Sequence, residues 1–362
     1  MAIDQITLSG FRNHGQTRLD GTSRFNLLVG ENGAGKTNVL EAISLLAPGR
    51  GLRRAALAEM AGNDGNGGFS IGTSLSTAPG AEPVRLATYT EATRPGRRLV
   101  RINGSDASAI GLSEWVALGW LTPAMDRLFT DSAGARRRFV DRMALALDPQ
   151  HARYATRYEA ALRERNRLLS DEREPEAAWL DGVEAHLAEY GAALSAGRAN
   201  LISQVMAELA MLPAEPFARP ALSYASGGPI MQEELAEALR DNRRRDRAAS
   251  RTLIGPHRDE LLVTMEIKHV AASTCSTGEQ KAMLIAIILA HANIAARGRP
   301  NLLLLDEVAA HLDPVRRDAL FERLRDSGAQ LWLTGTELAP FAAVRDEAAI
   351  WKVDAGQVNR IS

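Results

Sequence analysis

FNLLVGENGAGKTNVLEAISLL, residues 25–46, changes character twice within its length. The short apolar run at 27–29 reads as a strand. Val39, Leu40, Ile43 and Leu46 recur at three and four, the spacing of one helix face. Between them Gly30, Glu31, Asn32, Gly33, Ala34, Gly35, Lys36 and Thr37 fit GxxxxGK[ST], in the strand–loop–helix setting that the pattern requires. The glycines let successive backbone amides turn inward onto phosphate oxygens, Lys36 adds a positive charge, and Thr37 brings a hydroxyl to a Mg2+ ion. The stretch predicts a nucleoside triphosphate site on an α/β fold.

The acids such a site needs lie far along the chain. NLLLLDEVAAHLD, 301–313, places four leucines in a row, as in a strand buried on both faces, directly before two carboxylates. Adjacent acids at the end of a fully apolar strand are costly unless a cation or a substrate uses them. Asp306 is placed to hold the Mg2+, directly or through water, and Glu307 to polarise the attacking water. Asp313-Pro314 fits a polar turn, or a simple cap, before a helix near 315–326.

Composition narrows the class. Lys and Arg total 43 against 44 Asp and Glu, a net charge of −1 over 362 residues. The chain is not a globally basic nucleic-acid binder, and a local basic surface stays open. Only Lys36, Lys268, Lys281 and Lys352 are lysines, so arginine is the default cation here and no arginine gains a role by type alone. The single cysteine, Cys275, excludes a disulfide framework and a cysteine-rich zinc site. MAIDQITLSGF at the start alternates like a strand and lacks the features of a secretory signal. The longest apolar run, 282–290, is about half of what spans a bilayer. The expectation is a cytoplasmic protein with no membrane partner.

STGEQK, 276–281, is a polar turn set against the apolar run AMLIAIILA. Ser276 or Thr277 can cap a helix start, which accounts for part of the segment. Its position before the acidic strand resembles the signature segment of ABC-type ATPases. That likeness implies that Ser276, Gly278 and Glu279 of one subunit meet the phosphate loop of another. ATP then bridges two chains, and its hydrolysis releases them.

The intervening chain is read in pieces. Residues 61–81 hold a glycine-rich turn and an alternating strand; 84–92 and 97–107 read as strands joined by a turn at Arg94-Pro95-Gly96. In 121–149, Arg136, Arg137, Arg138 and Arg142 crowd the start of a helix, where the dipole disfavours cations unless an anion is near. DNA phosphate, nucleotide phosphate, or Asp131 and Asp141 can each serve. Helices are expected at 151–169, 176–212 and 231–249, the last ending in DNRRRDRAASR with Arg243, Arg244 and Arg245, a solvated helix end or a nucleic-acid contact. GPHRDE, 255–260, reads as too compact in turn and charge for core, with His257 and Arg258 in reach of a phosphate or a dimer partner.

FRNH at 11–14, GENGAGKTN at 30–38, APGRGLR at 47–53, LTPAMDRLF and ARRRFVD within 121–141, IGPHRDE at 254–260, STGEQK and LLLLDE at 302–307 occur in the order seen in the RecF family of bacterial DNA-repair proteins. The resemblance runs over essentially the whole chain. It implies an α/β ABC-type ATPase head with a mixed sheet and an inserted helical arm: head over 1–149, arm over 150–249, head again over 250–362. It also implies ATP and Mg2+ as cofactors and an ATP-dependent homodimer at gapped DNA or single/double-strand junctions. RecO and RecR are implied partners in helping RecA, with weak, DNA-stimulated hydrolysis.

Two departures stand out. No glutamine occurs between Gln16 and Gln150, where related ATPases place one near the Mg2+. After the acidic strand, Thr334 and Thr336 stand where many transporters have a histidine. Two other readings carry their own signals. A transporter ATPase subunit shares the loop, signature and acids but has no use for GPHRDE or the helical insert. A nucleotide-gated scaffold would use hydrolysis only as a reset.

Overall fold

The computed structural model describes residues 2–62, 67–77, 80–173, 175–213, 215–295, 299–309 and 312–361. The chain forms two compact units, one of residues 1–126, 213–217 and 284–362, the other of 127–212 and 218–283. The second takes in most of the helical stretch expected at 150–249, together with the preceding helix and the chain from 250 through STGEQK to 283.

The first unit starts with β1 (Ala2–Phe11), β2 (His14–Asp20), β3 (Phe25–Val29), α1 (Lys36–Ser44) and α2 (Leu57–Met60). It continues with β4 (Ser70–Ser76), β5 (Val84–Glu91), β6 (Arg94–Ile102), β7 (Ser105–Ala107) and β8 (Ala117–Leu121). The second unit holds α3 (Ala133–Leu147), α4 (Gln150–Ser170), α5 (Ala177–Met211), β9 (Pro220–Ala225), α6 (Gln232–Asp241) and α7 (Arg243–Ala248). After β10 (Glu260–Met265) and β11 (Val270–Ala271) comes α8 (Thr277–Ala295). The first unit is completed by β12 (Asn301–Leu305), α9 (Pro314–Asp326), β13 (Gln330–Gly335), β14 (Ala348–Asp354) and β15 (Gln357–Arg360).

Two six-stranded sheets build the first unit. One has the order β2-β1-β4-β5-β6-β7 and is antiparallel. Its inward residues, among them Ile6, Leu8, Ile71 and Leu86, alternate with polar outward ones, as one-sided burial requires. The other has the order β15-β14-β3-β13-β12-β8, parallel except for β15, and is therefore mixed. β8, β12 and β13 are buried at every residue, which explains why Leu302–Leu305 carry no polar alternation. The α/β class with a mixed sheet is what the sequence led us to expect.

Three local expectations change. The hairpin turn lies at Ala92-Thr93 and β6 runs straight through Arg94-Pro95-Gly96. The pairing slips there: Arg94 opposes Glu91 and the next pair is Thr90 with Arg98, so Pro95 sits in an unpaired bulge where its missing N–H costs nothing. The helix expected over 231–249 is broken at Asn242, whose side-chain amide turns back onto the Ala238 carbonyl at 2.8 Å. GPHRDE is largely interior. Pro256 and Asp259 are buried, and the Asp259 carboxylate accepts from Arg198 at 2.7 Å, from the Gly227 amide at 2.8 Å and from the Tyr224 hydroxyl. Residues 63–66 and 78–79 of the expected glycine-rich segment lie outside the described residues. Among the described residues no helix is long and apolar enough to cross a membrane.

Candidate nucleotide site

Parallel pairing brings the carboxyl ends of β3, β13 and β12 side by side: Gly335 opposes Val29, and Leu333 opposes both Leu27 and Leu305. Ligands of open parallel sheets bind at this edge. Gly30 starts the loop there with its amide on the Gly335 carbonyl at 3.2 Å, and a β-carbon at Gly30 would fall 2.1 Å from the Val353 carbonyl oxygen. Gly33 and Gly35 have φ of 84° and 116°, values that favour glycine. Gly35 precedes α1 with no side-chain cap, which leaves first-turn amides for an anion.

Lys36 lies over the loop, its ammonium donating to the carbonyls of Gly30 at 2.6 Å and Glu31 at 2.8 Å. Burial lowers its pKa, against the opposing pull of the Glu307 and Asp306 charges. The Thr37 hydroxyl donates to Asp306 Oδ1 at 2.9 Å, so the loop and the acidic strand meet as the sequence predicts. A buried carboxylate beside a hydroxyl is a hard-oxygen donor set. It fits Mg2+, which takes one or two protein oxygens and completes its shell from phosphate and water.

A second layer holds the loop. Arg12 grips Glu41 with two bonds of 2.9 Å, and Arg53 reaches the same carboxylate at 3.1 Å. Asn13 donates to the Ala34 carbonyl at 3.0 Å and accepts from Asn38 at 2.7 Å. The His14 ring lies between the carbonyls of Gly35, 3.1 Å from Nε2, and Gly356, 2.9 Å from Nδ1; desolvation lowers its pKa. FRNH is therefore the scaffold of the phosphate loop. Nothing local in the sequence marks Glu41 or Gly356, because their partners come from distant segments. Glu41→Ala is expected to lower stability by about 2 kcal/mol, the lower end for losing charged hydrogen bonds, because Arg12 and Arg53 keep some solvent. Urea unfolding that matches the parent would refute this.

The sequence model for the RecF/RecN/SMC N terminal domain matches residues 2–356. The chain is 44% identical over 373 residues to the DNA replication and repair protein RecF of Brucella suis biovar 1 (strain 1330), covering 100% of this chain and 97% of that protein. The chain belongs to the RecF family. It is also 44% identical to the DNA replication and repair protein RecF of Mesorhizobium japonicum, over 99% of this chain and 97% of that one. Its fold is that of the recombination mediator protein RecF solved with ATP in the RecFOR pathway, with a TM-score of 0.86 at 22% identity over 100% of this chain and 98% of the other. An Smc head domain derived from Pyrococcus furiosus gives a TM-score of 0.56 at 16% identity, over 100% and 96%. The family is one of ABC-type ATPases in DNA replication and repair.

In this RecF-family chain the signature segment forms a reciprocal cap. The Ser276 amide and hydroxyl both donate to Glu279 Oε2, at 2.9 and 3.0 Å, and the Glu279 amide returns to Ser276 Oγ at 3.4 Å. Lys268 also bonds Glu279 at 2.5 Å, and with the Ser276 bonds it holds that carboxyl at a pKa of about 2. Gln280 donates to the Cys275 carbonyl at 2.8 Å. Glu279 and Gln280 thus serve the cap, while Ser276, Thr277 and Gly278 are exposed.

The basic candidates divide. Arg136 binds Glu260 with bonds of 2.7 and 2.8 Å, Arg137 donates to the Asp259 carbonyl at 2.8 Å, and Arg243 bonds Asp181 at 2.6 Å and Glu184. His257 accepts the Tyr158 hydroxyl at Nδ1, 2.8 Å, and donates from Nε2 to the Thr252 carbonyl at 2.9 Å, with a pKa lowered by burial. Arg138, Arg244, Arg245 and Arg258 are exposed.

Proposed function

We propose that this chain is an ATP-dependent DNA-binding protein of repair and recombination. It dimerises on ATP at gapped DNA, works with RecO and RecR to load RecA in the cytoplasm, and hydrolyses ATP slowly as a reset. The observation that carries the reading is the bond from Thr37 to Asp306, which joins the phosphate loop to the acidic strand beside Glu307. In this reading the loop of residues 30–37 holds the phosphates through Lys36 and through those of its amides not bonded to Gly335 and Glu31, and Thr37 and Asp306 hold Mg2+. Bound there, the ion neutralises charge on the phosphate oxygens. Glu307 orients the attacking water.

Gly278 supports the shared site. It lies in the first turn of α8 without a positive φ, and nothing within 4 Å would touch a β-carbon there. Among the described residues no contact calls for a glycine at that position; a phosphate arriving from outside does. Glu279 orients Ser276 through the cap. For DNA, the exposed Arg138, Arg244, Arg245 and Arg258 are the contacts we favour, with Arg136, Arg137, Arg243 and His257 holding their positions. Binding through several phosphates carries a steep salt dependence.

Sedimentation with gapped DNA tests the reading. ATP with Mg2+ is expected to shift the mass to two chains on DNA, and Ser276→Arg to remain a single chain although it still binds ATP. A mass indifferent to ATP would remove the clamp and leave a nucleotide-binding scaffold.

A further inference from the structure

Between the two acids stands a hydroxyl that the nucleotide reading has not used. Thr334, 1% exposed at the end of β13, donates to Asp306 Oδ1 at 2.7 Å, and its oxygen accepts the Glu307 amide at 2.9 Å. Thr37 reaches the same Asp306 oxygen at 2.9 Å. Two hydroxyls on Oδ1 fix the plane of the carboxylate, and no described residue donates to Oδ2. Glu307 has φ of 52°, in the left-handed region that a side chain larger than asparagine rarely adopts. Its amide bond to Thr334 is what secures that backbone and therefore where its carboxylate starts from.

The neighbours of Thr334 along β13, Leu331, Trp332 and Leu333, are apolar and fully buried. Valine would fill the same space and suit the strand better. A buried hydroxyl persists here because both of its bonding capacities are met, one by each acid.

We infer that Thr334 is a positioning residue for hydrolysis, a single hydroxyl that sets the metal-side carboxylate of Asp306 and the water-side Glu307 as one unit. The inference rests on the ATPase reading above and goes beyond it, because a change at Thr334 touches neither phosphate nor water directly.

Thr334→Val and Thr334→Ser, each alone and combined with Glu307→Gln, test it. Single-turnover ATP hydrolysis on gapped DNA is expected to fall about 10- to 100-fold in the valine variant, the range for losing a partner that orients a ligand. The serine variant should recover most of the rate. In the Glu307→Gln background the valine change should cost less than it does in the parent, because only its effect through Asp306 remains. Mn2+ affinity, read by electron paramagnetic resonance with a slowly hydrolysed ATP analogue, should weaken in the valine variant and not in the serine one. Equal rates for valine and parent, or full additivity with Glu307→Gln and an unchanged Mn2+ affinity, would overturn the inference. If the parent shows no hydrolysis that Glu307→Gln removes, the ATPase reading fails, and the Mn2+ comparison still decides whether Thr334 sets Asp306.

Discussion

Glu307→Gln is expected to slow ATP hydrolysis by about 10²- to 10⁴-fold, the loss seen when a positioned general base can no longer take a proton. The substitution keeps the size of the side chain and the backbone amide that bonds Thr334 at 2.9 Å. Lys36, Thr37 and Asp306 retain their bonds, so binding of ATP with Mg2+ should change little. With binding intact and turnover blocked, two-chain complexes on gapped DNA should accumulate and persist. Single-turnover hydrolysis and sedimentation of the same sample check both halves. Hydrolysis at the parent rate would place the base elsewhere. RecA loading separates two kinds of machine. A scaffold completes one round with Glu307→Gln and fails to recycle, whereas an activity driven by each hydrolysis step fails in the first round.

Arg165→Ala should destabilise the second unit by about 3–5 kcal/mol, the range for removing one partner of a buried ion pair. Arg165 is 0% exposed and donates to Glu184 at 3.0 Å, Asp246 at 2.6 Å, Thr252 at 3.0 Å and the Leu239 carbonyl at 2.8 Å. Arg243 shares Glu184, so two cations face two interior carboxylates. Taking Arg165 away leaves Asp246, itself fully buried, facing a cavity, with the Leu253 amide at 3.0 Å still donating to its carboxylate. Urea unfolding is the measurement, and a loss under about 1 kcal/mol would show that the cluster reorganises around the gap. Residues 30–37, Asp306 and Glu307 belong to the other unit, so ATP affinity of the folded fraction should be retained.

The two targets differ in how far along the chain their surroundings lie. Glu307 is legible in the sequence because its surroundings are local: a fully apolar strand ends, two acids follow, and few arrangements tolerate that. The phosphate loop is legible for the same reason, since its glycines, lysine and threonine lie within eight residues between a strand and a helix. The cap of α8 is also local. Ser276 and Glu279 are three apart, and the sequence raised capping before the structure gave its reciprocal form.

Arg165 gave no such signal. In a chain whose cations are nearly all arginine, the wholly buried Arg165 looks like its neighbours Arg163 and Arg167, which are exposed. Its partners Asp246 and Thr252 lie beyond the next long helix, and the break at Asn242 that turns Asp246 inward is a matter of tertiary fit. The same holds for GPHRDE. Its charges read as a surface turn until Arg198, from the middle of α5, arrives at 2.7 Å to neutralise Asp259.

By itself, then, the sequence determined the chemistry whose groups are neighbours along the chain: the phosphate loop, the acidic strand, the helix caps and the α/β class. Tertiary structure alone decided which arginines hold the interior and which face solvent, that FRNH braces the phosphate loop, and that Thr334 joins Asp306 to Glu307. The physical reason is reach. Periodicity and capping act over three or four residues, whereas the value of a buried charge or hydroxyl depends on a partner that only the folded backbone brings within 3 Å.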